Sequence, residues 1–143
     1  MEKLSAKKHV GVTRAKADEL IAALIERVKV VDADPQYLYG VSRLAVFGSY
    51  LTDKSKLGDI DIAVELGPKE RRTSLHWQLC EAQRAEAPGH YGSIERLFWP
   101  ERRVWKALRD RHSAFSFHEY GELEQLEKEQ GTNFRIALSQ RAL

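Results

Sequence analysis

The chain has 143 residues, of which 43% are hydrophobic and 31% are charged. This length suits one domain with a single core, and the composition is typical of a globular protein and excludes a disordered or fibrous one. The formal net charge of +2 excludes a strong overall positive field, so it gives nucleic-acid binding no support.

The first half of the chain predicts one helix followed by two strands. Thr13 precedes apolar residues at helical spacing up to about Val30, so we expect an N-cap and an amphipathic helix there, after a flexible segment over residues 1–12. Residues 41–47 are mostly apolar and end at a glycine, which predicts a short buried strand. Residues 59–66 alternate apolar and polar side chains, the pattern of a strand with one buried face.

The second half predicts further helices and strands in alternation. We expect helices over residues 69–87, 100–111 and 122–129, an irregular stretch over residues 90–94, and strands over residues 114–118 and 134–138. The element order α, β, β, α, α, β, α, β predicts an α/β (α+β) fold, with a small mixed β-sheet covered by helices. We expect residues 1–143 to form this single domain.

Cysteine content and hydropathy bear on the cellular setting. Cys80 is the only cysteine, which excludes an internal disulfide and a cysteine-based zinc site and favours a buried structural thiol. No apolar run approaches the roughly 18 residues of a membrane span, and the N-terminal residues lack the apolar centre of a signal peptide. These features predict a cytoplasmic protein with no membrane partner.

The candidate chemistry lies where the two predicted strands of the first half meet. Gly48 lets the backbone approach a ligand closely, and Ser49 offers a hydroxyl and an N–H group to a phosphate oxygen. Asp59 and Asp61 lie two positions apart on a strand, so their carboxylates share one face and repel each other unless a cation lies between them. Mg²⁺ suits this position, because it is usually held by one or two carboxylates together with substrate phosphates.

Each half of this pattern also has an ordinary explanation. Gly-Ser is a common turn, and two aspartates on one strand face often mark a solvated edge. The compact spacing and the entry into the strand at Gly58 favour one combined site. Lys54 and Lys56 lie between the two halves, where they either neutralise phosphate charge or are simply solvated.

The segments Phe47–Ser49 and, nine residues later, Asp59–Ile62 resemble the signature of the polymerase-beta-type nucleotidyltransferases, especially their minimal single-domain members. The resemblance covers residues 41–66. It implies a nucleotidyltransferase-like fold in which the Gly-Ser turn binds the phosphates of ATP or another NTP and the two acids bind Mg²⁺. The implied reaction moves a nucleoside monophosphate to a hydroxyl group and releases pyrophosphate. It also implies a third carboxylate, on a later strand, that helps to activate the hydroxyl.

The third carboxylate is where the chain departs from this family. Alternation along the strand at residues 114–118 places Ser116 and His118 on one face and Glu119 on the other. Glu119 serves as the acid if the strand ends or bulges before it. Otherwise His118 replaces the acid, or no third group functions.

Three hypotheses follow. The first is an active nucleotidyltransferase whose acceptor is a small molecule or a partner protein, with a partner or a homodimer completing the small acceptor site. Minimal members of the resembling family are often paired with a helical partner in toxin–antitoxin modules, which makes such a partner one expected acceptor. The second is a relative that binds NTP and metal without turnover. The third is a protein-interaction module that uses an exposed aromatic residue such as Trp99.

Overall fold

The computed structural model describes residues 11–110 and 114–140. The strands are β1 (Val12–Thr13), β2 (Tyr39–Phe47), β3 (Lys56–Leu57), β4 (Ile60–Pro68), β5 (Phe115–Glu119) and β6 (Phe134–Ser139). The α-helices are α1 (Arg14–Ala33), α2 (Thr73–Arg84), α3 (Ser93–Leu97), α4 (Trp99–Arg109) and α5 (Tyr120–Gln130), and a single 3₁₀ turn covers Gly48–Leu51.

Four strands form a mixed sheet in the order β5-β4-β2-β6. Strand β2 runs antiparallel to both β4 and β6, whereas β4 and β5 run parallel. The short strands β1 and β3 form a separate antiparallel pair. The predicted small mixed sheet covered by helices is therefore confirmed.

Side-chain alternation gives each face of the sheet its own apolar cluster. On one face, Ile60, Ile62 and Val64 pack into a core that includes buried residues of α1 and α4. On the other face, Ala45 and Ala63 pack beneath α5. On this second face the side chains of Asp61 and His118 keep 29% and 27% of their surface exposed. In the part of the chain that is described, no helix combines the length and apolar character that crossing a lipid bilayer requires.

The start of α1 is as predicted. The Thr13 hydroxyl accepts the Lys16 N–H at 3.1 Å, which satisfies one of the backbone donors that a helix N-terminus leaves unpaired. Residues 1–10 of the expected flexible segment lie outside the described residues. Val12, expected in the same segment, is instead a strand residue paired with Leu57.

The helix predicted over residues 69–87 is shorter in the structure, because side chains hold its first residues in a loop. The Lys69 ammonium donates to two backbone carbonyl groups at the end of α1. The Glu70 carboxylate accepts the Arg72 N–H at 2.8 Å. Both contacts precede α2, and Cys80 within that helix is buried as expected.

Other element boundaries also differ from the prediction by a few residues. Helix α3 occupies part of the stretch expected to be irregular, and it begins where the Glu95 carboxylate accepts the Gly92 N–H at 2.8 Å. Helix α4 is followed by Asp110 in the left-handed region at φ 41°, a conformation that ends helices. The end predicted at residue 111 lies outside the described residues.

A partly exposed ion pair joins β2 to β4 across the sheet. Arg43 donates to both Glu65 carboxylate oxygens at 3.0 and 2.8 Å, and the Ser42 hydroxyl donates to the same carboxylate at 2.6 Å. The hydrogen bonds from Arg43 and Ser42 lower the pKa of Glu65 to about 2.

We expect Glu65→Gln to destabilise the protein near neutral pH by up to about 1 kcal/mol, since solvent weakens an exposed pair. A carboxylate with a lowered folded-state pKa contributes stability above its unfolded pKa and loses it as it is protonated. The difference from wild type should therefore shrink as the pH falls from about 5 towards about 2. Urea unfolding of both proteins across this pH range measures the difference in their free energies of unfolding. Glu127→Gln, an exposed acid on α5, is the matched control, and an equal pH dependence in both variants would contradict the assignment to Glu65.

Candidate functional site

Gly48 turns the chain at the end of β2 beside the start of β4. Its φ is +77°, a backbone region that glycine adopts readily and other residues rarely do. A Cβ at this position would collide with the Asp61 carboxylate. The predicted phosphate turn and one of the predicted metal-binding acids are thus in direct contact.

The loop that follows this turn is anchored to α1. Arg14 donates through Nη1 to the Tyr50 carbonyl at 2.8 Å, and through Nη2 to the carbonyls of Thr52 and Lys54 at 2.5 and 3.0 Å. The Tyr50 hydroxyl donates to Asp18, also on α1. These contacts hold the backbone after the Gly-Ser turn in a single path. The sequence reasoning missed Arg14, whose partners lie 36 to 40 residues away along the chain.

Lys54 and Lys56 are both exposed, Lys54 in this loop and Lys56 in β3 opposite Thr13. Within the described ranges neither ammonium group forms a hydrogen bond or an ion pair. In the described part of the chain, no hydrogen bond or ion pair links either ammonium group to the Gly-Ser turn.

Asp61 is the second residue of β4, and its side chain is 29% exposed. Burial raises the pKa of this carboxyl above its ordinary value, and the charge of Asp59 raises it further, while the contact with His118 acts in the opposite direction. Asp59 lies just before β4 and is partly buried. The charges of the two predicted acids therefore interact unfavourably.

His118 lies beside Asp61 on the neighbouring strand. The register pairs Asp61 with Ser116 and Ala63 with His118. His118 Nε2 lies 3.2 Å from Asp61 Oδ1 and 3.2 Å from Ser116 Oγ. Its Nδ1 lies 3.2 Å from Glu122 Oε1 in the first turn of α5. The imidazole therefore bridges two carboxylates, and Glu122 is a site residue that the sequence reasoning did not identify.

Glu119 does not join this group. It pairs with Val64 in a regular register without a bulge, so its side chain belongs to the sheet face opposite Asp61. There it lines a cleft of about 1010 Å³ that is also lined by residues of α4 and α5. The strand neither ends nor bulges before Glu119, so the condition for its role as third acid is not met. Ser116 and His118 lie on the face of Asp61 instead.

The described residues contain no group of three or more His, Cys, Asp and Glu side chains arranged to hold a metal ion. Asp59 and Asp61 offer carboxylate oxygens, and a Mg²⁺ ion here would take its remaining ligands from nucleotide phosphates and water. This mode is common for Mg²⁺. The residues fit it, because a cation would offset the burial and repulsion that raise the pKa of Asp61.

The exposed aromatic surface differs from the expected one. Trp99 is only partly exposed, and its ring packs edge-on against Tyr91 with 5.5 Å between ring centroids. The apolar side chains that reach solvent nearby are Ile94, Leu97 and Phe98, with 75%, 48% and 53% of their surface exposed. Any contact surface in this region therefore centres on α3 and not on Trp99.

No protein-family model, curated protein or solved structure matches this chain.

Proposed function

We propose that the chain is a Mg²⁺-dependent nucleotidyltransferase that moves a nucleoside monophosphate from an NTP to a hydroxyl group. The observation that carries this proposal is the direct contact between the Gly48 turn and the Asp61 carboxylate. A metal–nucleotide complex is held by both its phosphates and its metal ion. The turn that binds phosphate must therefore lie next to the acid that binds metal. The resemblance of the same residues to the nucleotidyltransferase signature supports this function.

The proposal gives each residue of the site a role. Gly48 admits the triphosphate close to the backbone, and the Ser49 hydroxyl donates to a phosphate oxygen. Asp59 and Asp61 hold the Mg²⁺ ion. When bound, the ion supplies positive charge that offsets the charge developing on the phosphate oxygens.

The reaction requires one proton acceptor. The acceptor hydroxyl oxygen forms a bond to the α-phosphorus, and the bond from that phosphorus to the oxygen of the β-phosphate breaks. Pyrophosphate leaves with the bonding electron pair. Water is the proposed acceptor of the hydroxyl proton, because a bound metal ion would make a nearby hydroxyl more acidic. His118 lies beside Asp61 on the same face of the sheet, and Glu122, at 3.2 Å from Nδ1, orients its imidazole.

The acceptor belongs to a small molecule or to a partner protein. Apolar side chains exposed around α3, including Ile94 and Phe98, support a protein partner, which is either a second copy or the helical partner of a toxin–antitoxin pair. A cytoplasmic location, where Mg²⁺ and NTPs are both available, is part of the same proposal.

Pyrophosphate release tests this function. The protein, incubated with Mg²⁺, each NTP in turn and a panel of hydroxyl acceptors, should release pyrophosphate, and EDTA should stop the release. Glu119→Gln should retain the wild-type rate, because Glu119 lies on the opposite face of the sheet from Asp61. Absence of both pyrophosphate release and metal-dependent NTP binding would contradict the proposal.

Binding without turnover is the second candidate function. It is favoured by the presence of Ser116 and His118 on the face where the resembling family has a carboxylate. A nucleotide at 100 times its Kd stabilises the folded state by about 2.7 kcal/mol. A rise in Tm that requires both NTP and Mg²⁺, with no product from any acceptor, would favour this candidate over catalysis.

A further inference from the structure

His118 and Asp61 lie close enough together to be two ligands of one metal ion. His118 Nε2 and Asp61 Oδ1 lie 3.2 Å apart. Adjacent ligands of an octahedral ion with bonds of about 2.1 Å lie about 3.0 Å from each other. One ion can therefore bind both atoms without a large movement of either side chain.

The other side of the imidazole has the partner that a metal-binding histidine requires. Such a histidine usually donates its second ring N–H to a carboxylate, which orients the ring and leaves the first nitrogen free for the metal. Glu122 Oε1 lies 3.2 Å from Nδ1. The Phe47 ring packs edge-on against the imidazole, with 5.2 Å between centroids. Glu122 and Phe47 together fix the ring with Nε2 towards Asp61.

An imidazole nitrogen changes which ion such a site prefers. Mg²⁺ takes oxygen ligands almost exclusively, whereas first-row transition ions accept nitrogen. A carboxylate on β5 would keep the site all-oxygen, but β5 presents Ser116 and His118 next to Asp61. A site with a carboxylate on β5 and a site with His118 therefore differ in one donor atom, which is an oxygen in the first and a nitrogen in the second.

On the basis of the proposed function, we infer that His118 Nε2 binds the divalent ion together with Asp61. This ligand shifts the preference of the site from Mg²⁺ towards first-row transition ions, of which Mn²⁺ is the one to test. Glu122 is a positioning residue that acts through the imidazole.

Electron paramagnetic resonance of Mn²⁺ bound to the full chain tests this inference. Inorganic tripolyphosphate replaces the nucleotide, so that the protein supplies the only nitrogen ligands. We expect the spin-echo modulation of a directly bound ¹⁴N, and we expect Mn²⁺ to bind about tenfold or more tightly than Mg²⁺ in competition titrations.

Three variants identify the residue that supplies the nitrogen bound to Mn²⁺. His118→Asp should lose the ¹⁴N modulation and bring the Mn²⁺ and Mg²⁺ affinities closer together. Glu122→Gln should keep the modulation but weaken Mn²⁺ binding by about tenfold. His90→Asn, which changes an exposed histidine between α2 and α3, should leave both measurements at wild-type values.

Two results would overturn the inference, and they differ in what they say about the proposed function. Metal-dependent binding of NTP without ¹⁴N modulation in the wild-type chain would remove His118 from the ligand set and leave the nucleotidyltransferase proposal standing. Failure of the wild-type chain to bind Mn²⁺ or Mg²⁺ with either tripolyphosphate or an NTP would overturn both. Because the modulation is measured on the wild-type chain, the decision does not depend on the folding of a variant.

Discussion

Asp61→Asn is expected to reduce pyrophosphate release by about 10³-fold and, at the same time, to raise the Tm of the metal-free protein. Activity falls because the amide removes a negative charge that the metal ion requires. Stability rises because Asp61 is partly buried beside the charge of Asp59, and both effects raise the pKa of its carboxyl. An asparagine side chain has no charge to desolvate, and it keeps a polar atom for the contact with His118.

The pH dependence of stability separates this explanation from a general effect of the substitution. A carboxyl whose folded-state pKa is raised binds its proton more tightly in the folded chain than in the unfolded chain. Metal-free wild-type protein should therefore gain stability as the pH falls through that raised pKa, and Asp61→Asn should lack this gain. Thermal unfolding in the presence of EDTA, at a series of pH values above the ordinary value of 3.8, measures the difference.

Asp53→Asn is the matched control, because Asp53 is an exposed acid in the loop between the turn and β3. It should change neither the turnover nor the pH dependence of Tm. Turnover of Asp61→Asn at the wild-type rate would contradict the metal-binding role. A fall in Tm at every pH would contradict the electrostatic explanation of its stability.

The sheet face on which each side chain of β4 and β5 lies was predictable, because it depends only on alternation along the strand that carries the side chain. Asp61 was placed opposite the buried face of β4 from sequence, and the structure agrees. Ser116 and His118 were likewise placed on one face of β5 and Glu119 on the other. Alternation does not require knowledge of the partner strand, so these assignments needed no tertiary information.

Contacts that depend on how elements pack were not predictable. Arg14 follows the N-cap of α1 without any local feature that marks its carbonyl partners, which are distant in the chain. Glu122 lies four residues after His118, but a strand ends and a helix begins between them. Neither the helical nor the strand period predicts their contact. The strands β1 and β3 are only two residues long, too short for any periodic pattern.

Gly48→Ala is expected to impair stability and nucleotide binding together. Alanine in the left-handed region costs about 1–2 kcal/mol, and the added Cβ would also displace the Asp61 carboxylate. For a chain of this size each kcal/mol lowers Tm by about 2–4 °C. Differential scanning calorimetry with and without NTP and Mg²⁺ measures both effects. Gly67→Ala is the control, because a Cβ at Gly67 would meet no atom within 4 Å, and it should change Tm little.

A double-mutant cycle separates the two causes of the loss. In an Asp61→Ala background the carboxylate is gone, so Gly48→Ala should lower the free energy of unfolding only through the strained backbone of alanine. The loss should therefore be smaller than in the wild-type chain. Residues in contact show coupling of about 0.5–3 kcal/mol, whereas independent sites add to within about 0.3–0.5 kcal/mol. Additive losses would mean that the turn and the acid do not touch in solution. The proposed metal–nucleotide site would then lose the observation on which it rests, since a triphosphate held by the turn would not reach a metal held by Asp61.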